Sequence, residues 1–355
     1  MKKLSVCILF GGMSPEHEVS LRSAESVLNQ IDQEKYNVYP VGITRDGRWI
    51  HFGGSDYSML PAGTWMDHPD NCQAEISPVR GQGLLRFESG CVSQTPIDVV
   101  FPVLHGENGE DGAMQGLMQM AGIPCVGPRV AASAVAMDKT LTKLVMDHAG
   151  VVQAAWQLVR RSDLAGDLAS TLDSLEKRFA YPMFVKPAGT GSSVGVSKAS
   201  DRQKLEKALK DAARFDDKIL VEEFIHGREI EVAVMGNREP IASVCGEIDS
   251  GADFYDYDAK YLTDTSTAYI PARIPAQIQE QVREAAVKVY KAIGCRGLSR
   301  VDFFVTYEDN RVVFNEINTL PGFTSISMYP KLFEASGVPY GQLIDRLLDL
   351  AREDC

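Results

Sequence analysis

Two periods of hydrophobic residues run through the 355-residue chain. Leu4–Phe10 is almost continuously apolar and stops at Gly11-Gly12, which predicts a buried strand. Past it the spacing lengthens, with Val19, Ala24, Val27, Leu28 and Ile31 recurring as on one face of a helix over Val19–Gln30. Tyr36–Ile43 and Asp98–Leu104 read as further strands, the second ending at His105-Gly106. Strand–helix alternation of this kind predicts a parallel, doubly wound sheet. Ile50–Thr95 is rich in Gly, Pro and Ser and only weakly periodic, so it predicts loops with short hairpins at the edge of the first domain.

Farther along, Ala131–Gly150 predicts a helical stretch closed by Gly150, and Pro182–Pro187 a strand running into the glycine-rich Ala188–Gly195. A Lys-rich amphipathic helix follows over Asp201–Phe215, then a strand at Ile219–Phe224. Glu229–Met235 and Ile241–Glu247 form a hairpin pattern closed by Gly236-Asn237. Pro275–Ile293 predicts a long helix, and Ser299–Thr306 and Arg311–Ile317 two strands joined at Glu308-Asp309-Asn310. The expected division is an N-terminal domain over 1–130, a small central domain over 131–221 and a C-terminal domain over 222–355.

Composition narrows the classes. Apolar residues make up 45% and charged residues 24%, as in globular proteins. The net charge of −12 disfavours nucleic acid as a partner, since phosphate neutralisation needs clustered cations. It leaves room for one triphosphate held by local cations. Seven dispersed cysteines, with no CxxC pair, predict reduced thiols in a cytoplasmic protein. The apolar start is shorter than a signal peptide needs, and no run approaches a membrane span of about 20 residues.

Two segments carry candidate chemistry. Lys186-Pro187-Ala188-Gly189-Thr190-Gly191-Ser192-Ser193-Val194-Gly195 sets three glycines and three hydroxyls after a strand ending in lysine. Backbone N–H groups there can approach an anion without a Cβ clash, although a polar surface loop has the same composition. No Walker A loop occurs, and the first strand lacks Gly-x-Gly-x-x-Gly. In Asn315-Glu316-Ile317-Asn318, Glu316 and Asn318 share one face of a strand, with Val313 and Ile317 expected on the other. If this strand pairs with that of Asp302, three oxygen ligands converge, a set that suits Mg²⁺. A solvated acidic edge is the alternative.

The order of these segments resembles the ATP-grasp superfamily. Ser14-Pro15-Glu16-His17-Glu18-Val19-Ser20, Leu104-His105-Gly106 with Gly109-Glu110-Asp111-Gly112, Met137-Asp138-Lys139, Phe254-Tyr255-Asp256-Tyr257 with Lys260-Tyr261, and Asn318-Thr319-Leu320-Pro321-Gly322-Phe323-Thr324 narrow the resemblance to the D-alanine–D-alanine ligase family. The resemblance implies an ATP-grasp α/β fold and an ATP-dependent carbon–nitrogen ligase that makes a dipeptide through an acyl phosphate for peptidoglycan synthesis. It implies Lys139 and Lys186 on the ATP phosphates under a lid of Ser192 and Ser193, and Glu222, Phe224, Ile225 and Glu229 around the adenosine. Asp302, Glu316 and Asn318 would hold two Mg²⁺ ions, or Mn²⁺. Arg300 and the Gly322 N–H would stabilise the oxyanion. Glu16 would bind the first D-alanine near His105, and Ser327 the carboxylate of the second. Lys260 and Tyr261 would belong to a closing loop, with Tyr261 joined to Glu16 and Ser192. A homodimer in a bacterial cytoplasm, binding neither nucleic acid nor membrane, completes the expectation.

Three rivals remain at this level. One is a ligase of the same fold that uses D-lactate or another D-amino or hydroxy acid. The second is a nicotinamide-dependent dehydrogenase, suggested by the strand–Gly-Gly–helix start. The third is an inactive nucleotide-binding module.

Overall fold

The computed structural model describes residues 2–191, 194–249 and 267–353. Its strands form three sheets. In the first, β1 (Leu4–Gly11) pairs in parallel with β2 (Tyr36–Ile43) and β7 (Val99–Pro102). An antiparallel meander extends it through β3 (Trp49–His51), β4 (Cys72–Ile76), β5 (Leu84–Glu88) and β6 (Cys91–Thr95). The meander occupies Ile50–Thr95 and supplies the short hairpins expected at the edge of the first domain. Alternation along β1 sorts its side chains by face. Val6, Ile8 and Phe10 pack on α1 (His17–Gln30), while Cys7 and Leu9 pack on α2 (Ala113–Ala121). With helices on both faces, the parallel part is doubly wound.

The expected helix over Ala131–Gly150 is two helices, α3 (Val130–Met137) and α4 (Lys139–Ala149), broken at Asp138. Asp138 has extended backbone, and its carboxylate accepts from the N–H groups of Thr140 and Leu141 at 2.9 and 3.1 Å, an N-cap that starts a new helix. Lys139 therefore stands on the first turn of α4.

The second sheet is antiparallel, in the order β10 (Ser197–Ala199), β9 (Met183–Pro187), β11 (Lys218–Glu223), β8 (Trp156–Arg160). Helices α5 (Arg161–Arg178) and α6 (Arg202–Ala212) close its core. The third, also antiparallel, runs β14 (Thr267–Tyr269), β13 (Ile241–Asp249), β12 (Gly227–Met235), β15 (Leu298–Thr306), β16 (Val312–Asn318). One face of it is covered by α7 (Ala276–Ile293), with Ala132 and Met146 of α3 and α4 in the same core. Helices α8 (Met328–Ala335) and α9 (Tyr340–Arg352) join the core of the first sheet to Ala233, Met235 and Leu298 of the third.

Candidate active site

The register of the third sheet assembles the acidic side of the site. Asp302 on β15 stands opposite Glu316 on β16, and Arg300 opposite Asn318, so all four project from one face. A register shift follows Asp302, leaving Asn315 out of the ladder. This irregularity corrects one expectation. Val313 pairs with Phe304 and so lies on the same side as Glu316, packed with Ala154 and Ile225, whereas Ile317 does face the core under α7. Strict alternation along β16 fails across the bulge.

Arg300 lies along its own strand. Its Nε and Nη2 donate to the two oxygens of Asp302 at 2.8 and 2.7 Å, and Nε lies 3.2 Å from Glu231 on β12. Asn318 Nδ2 donates to Asp302 Oδ2 at 3.0 Å. Burial opposes the guanidinium charge, but Asp302, Glu231 and Glu316 outweigh it and push Arg300 well above its ordinary range. Both Asp302 oxygens thus accept hydrogen bonds, from Arg300 at each and from Asn318 at Oδ2. Two carboxylates and an amide give a hard-oxygen donor set. Among the described residues no group of three or more His, Cys, Asp or Glu side chains gathers as a metal site.

Opposite this face lies a basic pair. Lys186, at the end of β9, and Lys143, on α4, grip the two oxygens of Glu222 at 2.8 and 2.5 Å. Glu222 and Lys143 are buried. Burial alone would raise the Glu222 carboxyl, yet the two ammonium groups lower it to about 2. Lys186 also reaches Asn315 Oδ1 at 3.4 Å, and although burial disfavours its charge, Glu222, Glu316 and Glu229 raise it above the ordinary lysine range. Lys139 Nζ donates to the carbonyl of Thr190 in the glycine loop at 2.6 Å.

A cavity of about 590 Å³ lies between the second and third sheets and brings together Lys139, Lys186, Glu222, Phe224, Ile225, Glu229, Glu316 and Asn318. Phe184 and Phe224 stack beside it at 5.9 Å, and Ile225 and Ala154 on its wall pack with the buried Val313. Asp302 and Arg300 do not line it.

The remaining candidates meet where the first domain abuts the strand-β16 loop. Glu16 is buried before α1, and its Oε2 lies near Gly106 and Gly191: a Cβ built there would stand 2.7 and 3.2 Å away. His105 is buried, with Nδ1 3.1 Å from the Leu320 carbonyl and Nε2 3.1 Å from Ser23 Oγ. Burial lowers its basicity, with Glu16 opposing. Ser23 Oγ in turn accepts from the Phe323 N–H at 3.3 Å. Gly322 lies against Ser327, whose Oγ a Cβ at Gly322 would approach to 2.8 Å. Ser192, Ser193, Lys260 and Tyr261 lie outside the described residues.

Three residues escaped the sequence reading. Glu231 faces Arg300, and its signal was the Glu229-x-Glu231 spacing on one strand face. Lys143 lies four residues after Lys139, one helical turn along α4. Glu110 sat in a quoted motif without a role. Its two oxygens accept from the N–H groups of Gly106 (2.9 Å) and Leu320 (3.2 Å), tying the first domain to the β16 loop. Burial, reinforced by Glu16, pushes its carboxyl up to about 8.

Comparison with known proteins yields matches over nearly the whole chain. A family model described as D-ala D-ala ligase N-terminus matches residues 5–128, and one described as D-ala D-ala ligase C-terminus matches residues 145–349. A D-alanine–D-alanine ligase of Acetivibrio thermocellus is 49% identical, covering 98% of this chain and 96% of its own. One from Caldicellulosiruptor bescii is 46% identical over 99% and 96%. Among solved structures, the VanG D-Ala:D-Ser ligase from Enterococcus faecalis superposes with a TM-score of 0.89 at 38% identity, covering 99% of this chain and all of that one. The D-alanine–D-alanine ligase from Coxiella burnetii gives 0.86 at 35%, covering 99% and 95%.

Proposed function

The chain belongs to the D-alanine–D-alanine ligase family, and from that premise we propose that it condenses two D-alanines at the expense of ATP. The observation that carries this reading is the convergence on one cavity of a lysine cluster, an acidic strand face and an apolar aromatic wall. The γ-phosphoryl group of ATP passes to the carboxylate of the first D-alanine, giving D-alanyl phosphate and ADP. The amine of the second D-alanine then attacks the acyl carbon, loses a proton, and phosphate leaves. Such steps depend on positioning and charge neutralisation more than on a protein nucleophile.

In this assignment Lys139 and Lys186 bind the ATP phosphates, with Ser192 and Ser193 in the lid. Glu222 holds Lys186 in place while lining the adenosine side with Phe224 and Ile225, and Glu229 takes the ribose. Asp302, Glu316 and Asn318 would hold two Mg²⁺ ions, or Mn²⁺; the hard-oxygen donor set fits such ions. Bound there, they would neutralise phosphate charge. Arg300, kept fully charged and oriented by Asp302 and Glu231, stabilises the oxyanion together with the Gly322 N–H. Donors of this kind contribute roughly 3–4 kcal/mol each.

Glu16 receives the ammonium of the first D-alanine, close to His105. Burial and the neighbouring Glu16 push the Glu110 carboxyl up, which favours its neutral form and limits the negative charge beside Glu16. Ser327 takes the carboxylate of the second substrate, and Lys260 and Tyr261, outside the described residues, are assigned to substrate contact and catalysis. A homodimer in the bacterial cytoplasm, supplying peptidoglycan precursors, fits this product. No helix among the described residues is long and apolar enough to cross a membrane.

The test is ADP and phosphate release with ATP and Mg²⁺ across D-alanine, D-serine, D-lactate and L-alanine. D-Alanine alone should support turnover, and its product should be the dipeptide. Faster turnover when D-alanine is paired with D-serine or D-lactate would reassign the second substrate.

A further inference from the structure

A second cavity, of about 360 Å³, opens where the first and third sheets meet, and nothing in the ligase reading uses it. One wall is the end of α2 and the segment 122–129; the others come from Asn237, Arg296-Gly297 and the last turn of α9. Three arginines line it, Arg80, Arg129 and Arg296, and no Asp or Glu among the described residues does. In a chain of net charge −12 this is a local concentration of cations, with the Glu353 carboxylate behind the wall accepting from Asn237 Nδ2 at 2.7 Å. Arg80 lies across Gly122, where a Cβ would come within 3.3 Å of its Nε. Arg80 and Arg129 are both exposed.

The wall also contains a buried amide that ties it to the first domain's glycine segment. Gln115 is buried and lines the cavity; its Nε2 donates to the Gly109 carbonyl at 2.7 Å, and its Oε1 accepts no hydrogen bond. That oxygen is an acceptor and gives a phosphate nothing to bind, so the arginines alone carry the anion affinity of the wall. Guanidinium groups suit phosphate because their planar fork can donate two parallel hydrogen bonds. The volume lies within the range of small-ligand sites, roughly 300–1,000 Å³.

We propose that this cavity binds a small phosphate-bearing anion, at a site separate from the ATP cavity. Its walls adjoin two parts of the catalytic centre. Gln115 holds Gly109, next to Glu110, and Gly127 backs onto Leu320, whose Cδ2 would lie 2.9 Å from a Cβ at Gly127. An occupant would thus bear on the segment that carries Gly322.

Calorimetric titration of the metal-free full chain with inorganic pyrophosphate tests this, with two kinds of variant separating the cavities. Lys186→Met disables the phosphate end of the ATP site, and the Arg80→Ala/Arg129→Ala double variant disables the second cavity. Binding of one equivalent should persist in Lys186→Met and weaken at least tenfold in the arginine double variant. Gln119→Glu, which adds a negative charge to an exposed residue of the cavity lining, should weaken binding in the same direction and carries the test should the double variant fold poorly. Loss of binding in Lys186→Met, or wild-type affinity in the arginine and Gln119 variants, overturns the proposal.

Discussion

Single residues here act mainly by balancing one another's charge. Glu222 shows this most simply, because both its oxygens are held by lysines and its carboxyl is lowered to about 2. A carboxyl lowered on folding contributes stability at pH values above its ordinary value of 4.5 and loses that contribution as pH falls toward 2. Glu222→Gln leaves Lys143 without its carboxylate and Lys186 with the more distant Glu316 and Glu229. Denaturant unfolding at pH 7 should therefore show a loss of about 3–5 kcal/mol. The variant should also lack the wild-type decline assignable to this group between pH 4.5 and 2. Equal stability at pH 7 would mean that the lysines find other partners. Lys186 and Glu222 were both legible in the sequence as isolated positions. Their mutual pairing was not, because Lys143, the third member, lies on a helix whose own pattern says nothing about strand β11.

Secondary-structure elements explain why the acidic face could be read from spacing and the opposite one only in part. Glu316 and Asn318 are two apart beyond the bulge, so period-two alternation holds for them, whereas Val313 lies before it and changes side. A bulge has no compositional mark in Arg311–Ile317, so no counting rule could have placed it. Strands β1 and β2 and helix α7 were legible because their apolar patterns are long and regular. Helix α5 was not, since only Leu172 and Leu175 of its 18 residues are buried. The segment Asn318–Ser327, by contrast, depends on a glycine. Gly322→Ala would place a methyl group 2.8 Å from Ser327 Oγ and displace one member of the Gly322–Ser327 pair. Turnover should fall at least tenfold, while global stability changes by no more than about 1 kcal/mol, as for substitutions outside a core. Unchanged kcat and KM would remove this segment from the reaction centre.

At the scale of the molecule, the three sheets do not divide the chain into three independent cores. Among the described residues, the second sheet draws its core entirely from its own stretch, Val159 to Val221, whereas the first sheet does so on one face alone, Cys7 to Ile123. The expected central domain over 131–221 includes α3 and α4, which pack instead with the third sheet. The N-terminal sheet is completed by the other end of the chain: Leu343, Ile344, Leu347 and Leu348 of α9 are buried with Val6, Ile8, Phe10, Val99 and Phe101. Asp345 adds polar contacts, accepting from Tyr36 Oη at 2.9 Å and Lys35 Nζ at 2.7 Å. Sequence pattern marks an amphipathic helix but not the sheet it covers, some 300 residues earlier in the chain. A cut at 130 therefore leaves one face of the first sheet bare. Residues 1–130 alone should give weak, poorly dispersed amide spectra and bind a hydrophobic dye, the marks of an unclosed core. In the full chain, Leu347→Ala should lower unfolding stability by about 2–5 kcal/mol, the range for a leucine truncated in a packed interior. A well-folded 1–130 fragment together with a Leu347→Ala loss below about 1 kcal/mol would show that the first sheet closes without α9.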